Sequence, residues 1–267
     1  MPERGHLVVV GTGIAPDQVT GESRAWIEKA DRVLYVVYDT ATEALICRLN
    51  PRAESLATHY AEGKSRAATY TEMVDRILAE VHAGHTVCAA FYGHPGIFVY
   101  PSHAAIRRAR REGYDAVMLP AVSSLDCLFA DLGLDPAHGC QMLDASDVVL
   151  CERPLDTSCA VILWMVGLFG VATFREGGDV TRLPILVAYL RRFYDADHEV
   201  IVYQAAAGDD VPAVVERVRL EDLPKVAVPF GATLCIPPRG RPSFIPARAR
   251  ELGIPQEELD ASANLDW

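Results

Sequence analysis

The sequence predicts an α/β protein built as two domains, with a parallel sheet in the N-terminal domain and a mixed sheet in the C-terminal one. Three observations carry that expectation. Short β-branched apolar runs alternate with amphipathic segments through residues 6–119, the rhythm of βαβ units wrapped around a parallel sheet. Loops bearing glycine follow two of those runs directly, at Gly11-Thr12-Gly13 and at Tyr92-Gly93-His94-Pro95-Gly96. From Pro120 the texture changes to shorter and less regular runs, which end at Pro237-Pro238.

Taken in order, residues 6–10 read as a strand ending on the first glycine loop, 23–29 as a helix and 33–37 as a second strand. Residues 41–49 continue as a helix that stops at Asn50-Pro51, because proline disfavours helical backbone in the residue before it. Over 66–82, Tyr70, Met73, Val74, Ile77, Leu78 and Val81 recur near helical spacing. Residues 86–91 read as a buried strand, 102–111 as a basic helix and 116–119 as a strand. In the second part, 123–132 is a helix that Ser123 can cap. Strands are expected at 141–143, 148–151, 161–165, 199–203 and 233–236, and an amphipathic helix at 183–194. The expected division is 1–119, 120–238 and a tail of 239–267, helical at most over 246–252.

Half of the residues are hydrophobic and 23% are charged, the profile of a protein with a real core. A net charge of −11 argues against a nucleic-acid partner, because neutralising phosphates takes clustered Lys and Arg. Arg107, Arg108, Arg110 and Arg111 read instead as a solvated face near a helix C-terminus. Cys47, Cys88, Cys127, Cys140, Cys151, Cys159 and Cys235 form no CxxC pair, and no signal-peptide pattern precedes them. That pattern predicts reduced thiols and a cytoplasmic protein. No metal-ligand spacing joins these cysteines to the histidines, so no metal is expected. The longest apolar run, 159–171, is too short to cross a bilayer, and no membrane association is expected.

Three loops could carry chemistry. Gly11-Thr12-Gly13 would let backbone amides approach a ligand, although the full dinucleotide fingerprint is absent and a plain tight turn explains it equally well. The loop at 92–96 is more informative, since it follows a strand at the end where open α/β sheets bind ligands. At 120–124, hydroxyls and helix N-terminal amides could hold a polar ligand group, or simply cap a helix. Arg66 and Tyr70 stand four residues apart, so they share one helix face; a surface arginine beside a core tyrosine is the plainer reading.

Together these segments resemble the tetrapyrrole methylase superfamily, which binds S-adenosylmethionine in a cleft between two α/β domains. The likeness runs from Val8 to Pro238 and includes Val10-Gly11-Thr12-Gly13, Ala30-Asp31-Arg32-Val33, the loop at 92–96, and the stretches 120–124, 202–206 and 232–238. Two departures matter. Cobalamin and sirohaem methylases usually carry Gly-Asp-Pro where this chain has Gly93-His94-Pro95, and commonly a glycine where Ala121 stands. The histidine version is similar to the borosin enzymes, which N-methylate backbone amides of ribosomal peptides. Tyr60, the stretch 66–70 and the stretch 92–98 extend that likeness. The resemblance implies Arg66, Tyr70, Tyr92 and Tyr60 as catalytic residues. It implies Tyr92, His94, Ile97, Ser123, Ser124, Tyr203, Ala232 and Thr233 around the S-adenosylmethionine cofactor, and a homodimer.

The chemistry fits those residue types. An amide nitrogen is a poor nucleophile because its lone pair is delocalised into the carbonyl. Methylating it means removing or sharing the N–H proton while negative charge develops on oxygen. A tyrosinate could take the proton if a guanidinium such as Arg66 favours its ionised form, and Tyr92 could donate to the developing imidate oxygen. Whether Tyr70 or Tyr60 is the base stays open. Residues 257–267 are acidic and hold no run of Val or Ile, so the expected substrate is a separate precursor peptide. The alternatives are methylation of a tetrapyrrole or other small molecule, and a non-catalytic scaffold that binds cofactor or peptide.

Overall fold

A computed structural model describes residues 5–207, 211–240 and 242–263. They group into two compact units. The first takes the chain up to Leu128 together with Gly170–Gly178 and Gln204–Val214; the second takes Phe129–Phe169, Asp179–Tyr203 and the chain from Val215 onward. A single junction at Pro120 does not describe this division, because the chain returns to the first unit twice.

The first unit is built on five strands: β1 (His6–Gly11), β2 (Arg32–Val36), β3 (Ala53–Ser55), β4 (Thr86–Phe91) and β5 (Asp115–Met118), in the order β3-β2-β4-β1-β5. All neighbours run parallel. The central strands are covered on both faces, which is why they read as unbroken apolar runs. Leu7, Val9, Val87 and Ala89 face Ile77 and Leu78 of α3 (Arg66–His82) and Ala105 of α4 (Tyr100–Arg111). Val8, Val10 and Cys88 face Ile27 of α1 (Gly21–Lys29) and Ile46 of α2 (Thr40–Leu49). Each fully buried Leu or Ile in these layers stabilises the unit by about 1.5–3 kcal/mol. Helix starts are fixed locally: Thr20 accepts from the Ser23 amide at α1, and Asp39 from the Thr42 amide at α2. The edge strand β3 was not expected, because Ala53-Glu54-Ser55 offers no apolar run; pairing with β2 alone makes it a strand.

Parallel pairing has one consequence for function. The C-terminal ends of β1, β2 and β4, at Gly11, Val36 and Phe91, lie along one edge of the sheet, and the loops that follow them gather there.

The second unit holds β6 (Cys140–Asp144), β7 (Ala160–Trp164), β8 (Glu199–Gln204), β9 (Val214–Arg219) and β10 (Thr233–Ile236), in the order β6-β7-β10-β8-β9. β6 and β7 are parallel, whereas β10 is antiparallel to both β7 and β8, so the sheet is mixed as expected. Three expectations need correction. Residues 148–151 are not a strand: α6 (Ala145–Leu150) forms there, because Asp144 accepts from the Ser146 and Asp147 amides and starts a helix. β9 was missed, since Glu216, Arg217 and Arg219 disguise an edge strand. The tail is helical beyond α8 (Pro246–Leu252), with α9 at Gln256–Ala263. The remaining helices are α5 (Ser124–Leu132) and α7 (Leu183–Leu190), the latter four residues shorter than its apolar pattern suggests. No helix among the described residues is long and apolar enough to cross a membrane.

Candidate active site

The site begins where β1 and β4 end. Gly93 donates its amide to the Gly13 carbonyl at 2.9 Å, and Thr12 donates to the Phe91 carbonyl at 2.9 Å, so the two glycine loops are laced together. At Gly11 an added Cβ would lie 2.2 Å from the Gly93 carbonyl oxygen and 2.5 Å from the Ala121 Cβ. Only glycine lets the loops from β1, β4 and β5 meet this closely. The Tyr92 amide donates to the Val36 carbonyl at 2.9 Å, which ties the β4 loop to the end of β2.

The loop at 92–96 is held from within. His94 Nδ1 accepts from the Gly96 amide at 2.9 Å, and the His94 carbonyl accepts from the Ile97 amide at 3.1 Å. A neutral imidazole in that bond carries its proton on Nε2. Buried Ser102, in the first turn of α4, donates to the Pro95 carbonyl, and His103 contacts the Gly96 carbonyl at 2.9 Å. Phe98 next in line has φ of 60°, a strained value for a bulky side chain.

Ser123 is 3% exposed; its hydroxyl accepts from the Leu125 amide and its own amide donates to Asp126 at 2.6 Å. This is a capping box at the start of α5, in which the Ser123 amide donates and its hydroxyl accepts within the protein. Half-buried Ser124 opens that helix.

A second part of the site comes from the start of α3. Gly63 donates to the Phe174 carbonyl, Phe174 to the Lys64 carbonyl and Arg66 to the Ala172 carbonyl. This short antiparallel pairing includes a bridge between Ser65 and Thr173. It anchors Tyr60 and Arg66 against a segment more than a hundred residues later in the chain. The Tyr60 ring packs on Phe174 at 4.8 Å between centroids. Tyr70, one turn after Arg66, stacks with Tyr100 at 6.0 Å.

The structure brings these residues together around one that the sequence reading passed over. Tyr38, just past the end of β2, meets Tyr92 edge to face at 5.3 Å. Tyr60 feels both Tyr38 and Tyr70 electrostatically, and Arg66 acts in the same way on Tyr38. Tyr38, Tyr60, Tyr70, Tyr92 and Arg66 therefore form one cluster within the first unit. Tyr38, Tyr100 and Phe174 were missed. No local pattern marks Tyr38: it comes to Tyr92 because β2 and β4 are neighbours, with Val36 opposite Phe91.

The electrostatics separate the phenols. Burial pushes Tyr92 up to about 12, with Cys127, Asp39 and Tyr38 adding to the effect. Burial, then Tyr38 and Tyr70, hold Tyr60 well above the usual phenol range. Desolvation by the surrounding protein and Tyr70 raise Tyr38, while Tyr60 and the Arg66 guanidinium oppose the rise. Tyr92 and Tyr60 are thus neutral hydrogen-bond donors at pH 7, and a free-standing tyrosinate at Tyr60 is disfavoured. Arg66 exerts its pull at Tyr38. Close by, Asp39 caps α2 through Oδ1, while its Oδ2 is buried with no partner in the protein.

The other sequence-predicted positions belong to the second unit. Thr233 pairs with Tyr203 across β10 and β8. Ala232, Thr233 and Tyr203 are all buried, and the Tyr203 hydroxyl donates to Asp131 at 2.7 Å. The Tyr203 hydroxyl is thus already engaged within the protein. Among the described residues no cluster of three or more His, Cys, Asp or Glu side chains could hold a metal ion.

The family model described as tetrapyrrole (corrin/porphyrin) methylases matches residues 6–224. A methyltransferase/ribosomally synthesized cyclic peptide dendrothelin A precursor of Dendrothele bispora is 44% identical over 244 residues, covering 89% of this chain and 58% of that protein. The corresponding omphalotin A precursor of Omphalotus olearius is 42% identical over 244 residues, with the same coverage of 89% and 58%. The chain thus spans little more than half the length of these relatives. Among solved structures, uroporphyrin-III C-methyltransferase of Thermus thermophilus aligns with a TM-score of 0.62 at 18% identity, covering 88% of this chain and 92% of that one. The same enzyme complexed with S-adenyl homocysteine aligns at 0.60 and 20% identity, covering 87% and 92%. With the fold, the loops and most of its length in agreement, this chain belongs to the tetrapyrrole (corrin/porphyrin) methylase family.

Proposed function

We propose that the protein is an S-adenosylmethionine-dependent methyltransferase that N-methylates backbone amides of a ribosomally made peptide. The observation that carries this reading is the cluster of Arg66 with Tyr38, Tyr60, Tyr70 and Tyr92 beside the 92–96 loop. Names of relatives that join a methyltransferase to a cyclic peptide precursor point the same way. The residues present fit the cofactor: the partnerless Asp39 Oδ2 offers an acceptor to a cofactor hydroxyl or ammonium, and the close approach at Gly11 keeps loop backbone available. In this reading Tyr92, His94, Ile97 and Ser124 are the first unit's part in holding it. When bound, S-adenosylmethionine supplies an electrophilic methyl group on a sulfonium.

The chain's own residues then have three tasks. Tyr92, neutral because its phenol is pushed up to about 12, donates to the carbonyl oxygen of the reacting amide as charge develops there. Tyr70 or Tyr60, which act on each other electrostatically, receives the N–H proton. Arg66 favours the negative charge that the phenol cluster transiently carries. The remaining task is to hold the amide nitrogen in line with the methyl carbon.

The test is incubation with S-adenosylmethionine and precursor peptides supplied in trans, read by mass spectrometry. Methyl masses on backbone amides are expected, with loss of turnover in Arg66→Ala. Methylation of uroporphyrinogen that is unaffected by Tyr70→Phe would instead show small-molecule chemistry, and tight peptide binding without turnover a scaffold. The same reading takes the protein to be a cytoplasmic homodimer; light scattering on the purified protein checks the dimer.

A further inference from the structure

We infer that Tyr100 is a peptide-positioning residue, whose exposed ring receives an apolar side chain next to the amide being methylated. The inference rests on the proposed amide methylation and names a specificity contact for it. Tyr100 opens α4, directly after the stretch 92–98. Its ring stacks on that of Tyr70, with centroids 6.0 Å apart and planes inclined by 26°. Tyr70 itself packs against the core of the first unit, whereas Tyr100 keeps 56% of its surface accessible. The helix start that carries the ring is fixed in place. The Ser102 hydroxyl lies against the Pro95 and Val99 carbonyls, and His103 contacts the Gly96 carbonyl at 2.9 Å.

What rests on Tyr100 follows from where its ring leads. It is a held apolar surface continuous with Tyr70, a phenol to which the proposed reaction gives the proton. Tyr92, the phenol that faces the developing charge, has a similar neighbour: Tyr38, 67% exposed, meets it edge to face at 5.3 Å. Accessible aromatic rings therefore adjoin both phenols. Successive side chains of an extended peptide point to opposite sides at about 3.3 Å per residue, so a chain that brings one amide to Tyr70 lays a flanking side chain beside Tyr100. A tyrosine ring gives broad contact at low entropic cost, since few torsions must be fixed. Its surface rewards Val or Ile over Gly through the apolar area that leaves water. Tyr100 has no part in proton transfer; it acts on where the amide lies.

The experiment uses the full chain and two synthetic peptides of equal length, one with a core of Val and Ile, the other of Ala and Gly. Each is measured for KM with S-adenosylmethionine and for binding by fluorescence anisotropy. Wild type should prefer the Val and Ile peptide by about 10-fold, the low end of the ~10–200-fold that one apolar contact gives. Tyr100→Ala should level the two by weakening only the Val and Ile peptide, with kcat within about twofold of wild type. Tyr100→Phe should keep the wild-type preference, because the ring and not the hydroxyl makes the contact. If Tyr100→Ala melts below the assay temperature, Tyr100→Gln takes its place with the same expectation. A preference that survives loss of the ring, or both peptides weakened equally, overturns the assignment alone. So does weaker S-adenosylmethionine binding by calorimetry, which would put the ring against the cofactor's flat base, or a changed mass by light scattering, which would make it a subunit contact. A wild-type protein that binds S-adenosylmethionine yet methylates neither peptide overturns the amide-methylation reading and this contact with it.

Discussion

Tyr92 in the first unit and Tyr203 in the second both stand at or near the C-terminal end of a strand, and the protein uses them differently. Tyr203 is 1% exposed and gives its hydroxyl to Asp131 at 2.7 Å, so its polar end is satisfied within its own unit. Tyr92 joins a group of phenols in which Tyr38 meets its ring, Tyr38 and Tyr70 act electrostatically on Tyr60, and a partnerless Asp39 oxygen lies nearby. A satisfied buried phenol strengthens a fold. A group of crowded phenols with an orphan acceptor beside it costs stability, and such departures gather where a ligand completes the set.

The largest expected effect that separates the two regions is on turnover. Arg66→Ala should cut kcat by at least ~10², the range of a lost electrostatic or acid–base contribution, while S-adenosylmethionine affinity measured by calorimetry stays within twofold. An Arg66→Ala protein as active as wild type would remove the cluster from the chemistry.

Next come two glycines that face the same steric problem on opposite sides of the comparison. A Cβ at Gly11 would meet the Gly93 carbonyl oxygen at 2.2 Å, and one at Gly167 would meet the Pro229 carbonyl oxygen at 2.1 Å. Both alanine variants should lose about 1–3 kcal/mol in urea denaturation, because backbone cannot yield to the added methyl. Gly11→Ala alone should also weaken S-adenosylmethionine binding through the displaced 92–96 loop. Equal loss of binding in Gly167→Ala would erase the distinction.

Smaller again is Tyr203→Phe. It should cost about 1–2 kcal/mol by leaving the Asp131 carboxylate short of a donor, with little change in kcat. A drop in kcat as large as that of Arg66→Ala would give Tyr203 a part in the reaction.

The smallest effect is a pH dependence. Because the folded-state value of Tyr92 is raised to about 12, above the ~10 of an unfolded tyrosine, its contribution to stability is fully present below pH ~10. It is lost as pH climbs through 12. Tyr92→Phe should therefore show a shallower fall of the urea midpoint than wild type between pH ~9.5 and ~11.5. Parallel slopes would mean that Tyr92 is not shielded in solution.

Legibility in the sequence also differed between the units. In the first, α3, with its repeated apolar stripe, and β4, with its unbroken apolar run, are found at the bounds their patterns predict. Burial on both faces of a parallel sheet leaves few polar residues to confuse the reading. In the second, α6 was mistaken for a strand because Val148 and Val149 outweighed the capping Asp144, and β9 was hidden by its charges. Short elements at sheet margins take their state from neighbours, and propensity counts for little there.

For the site, the sequence by itself determined that Arg66 and Tyr70 share a helix face and that the 92–96 loop follows a strand, because those are local consequences of helical spacing and strand length. Resemblance added Tyr60 and Tyr92. Only the tertiary structure decided that Tyr38 joins them, since its neighbours are 22 to 54 positions away in the chain and meet it only because β2 lies beside β4. It also decided how two hydroxyls are engaged: Ser123 accepts from the Leu125 amide at a helix start, and Tyr203 donates to Asp131. The physical reason is that hydrogen-bond satisfaction and the desolvation that sets a phenol's proton affinity are properties of packed surroundings, which no single stretch of chain carries.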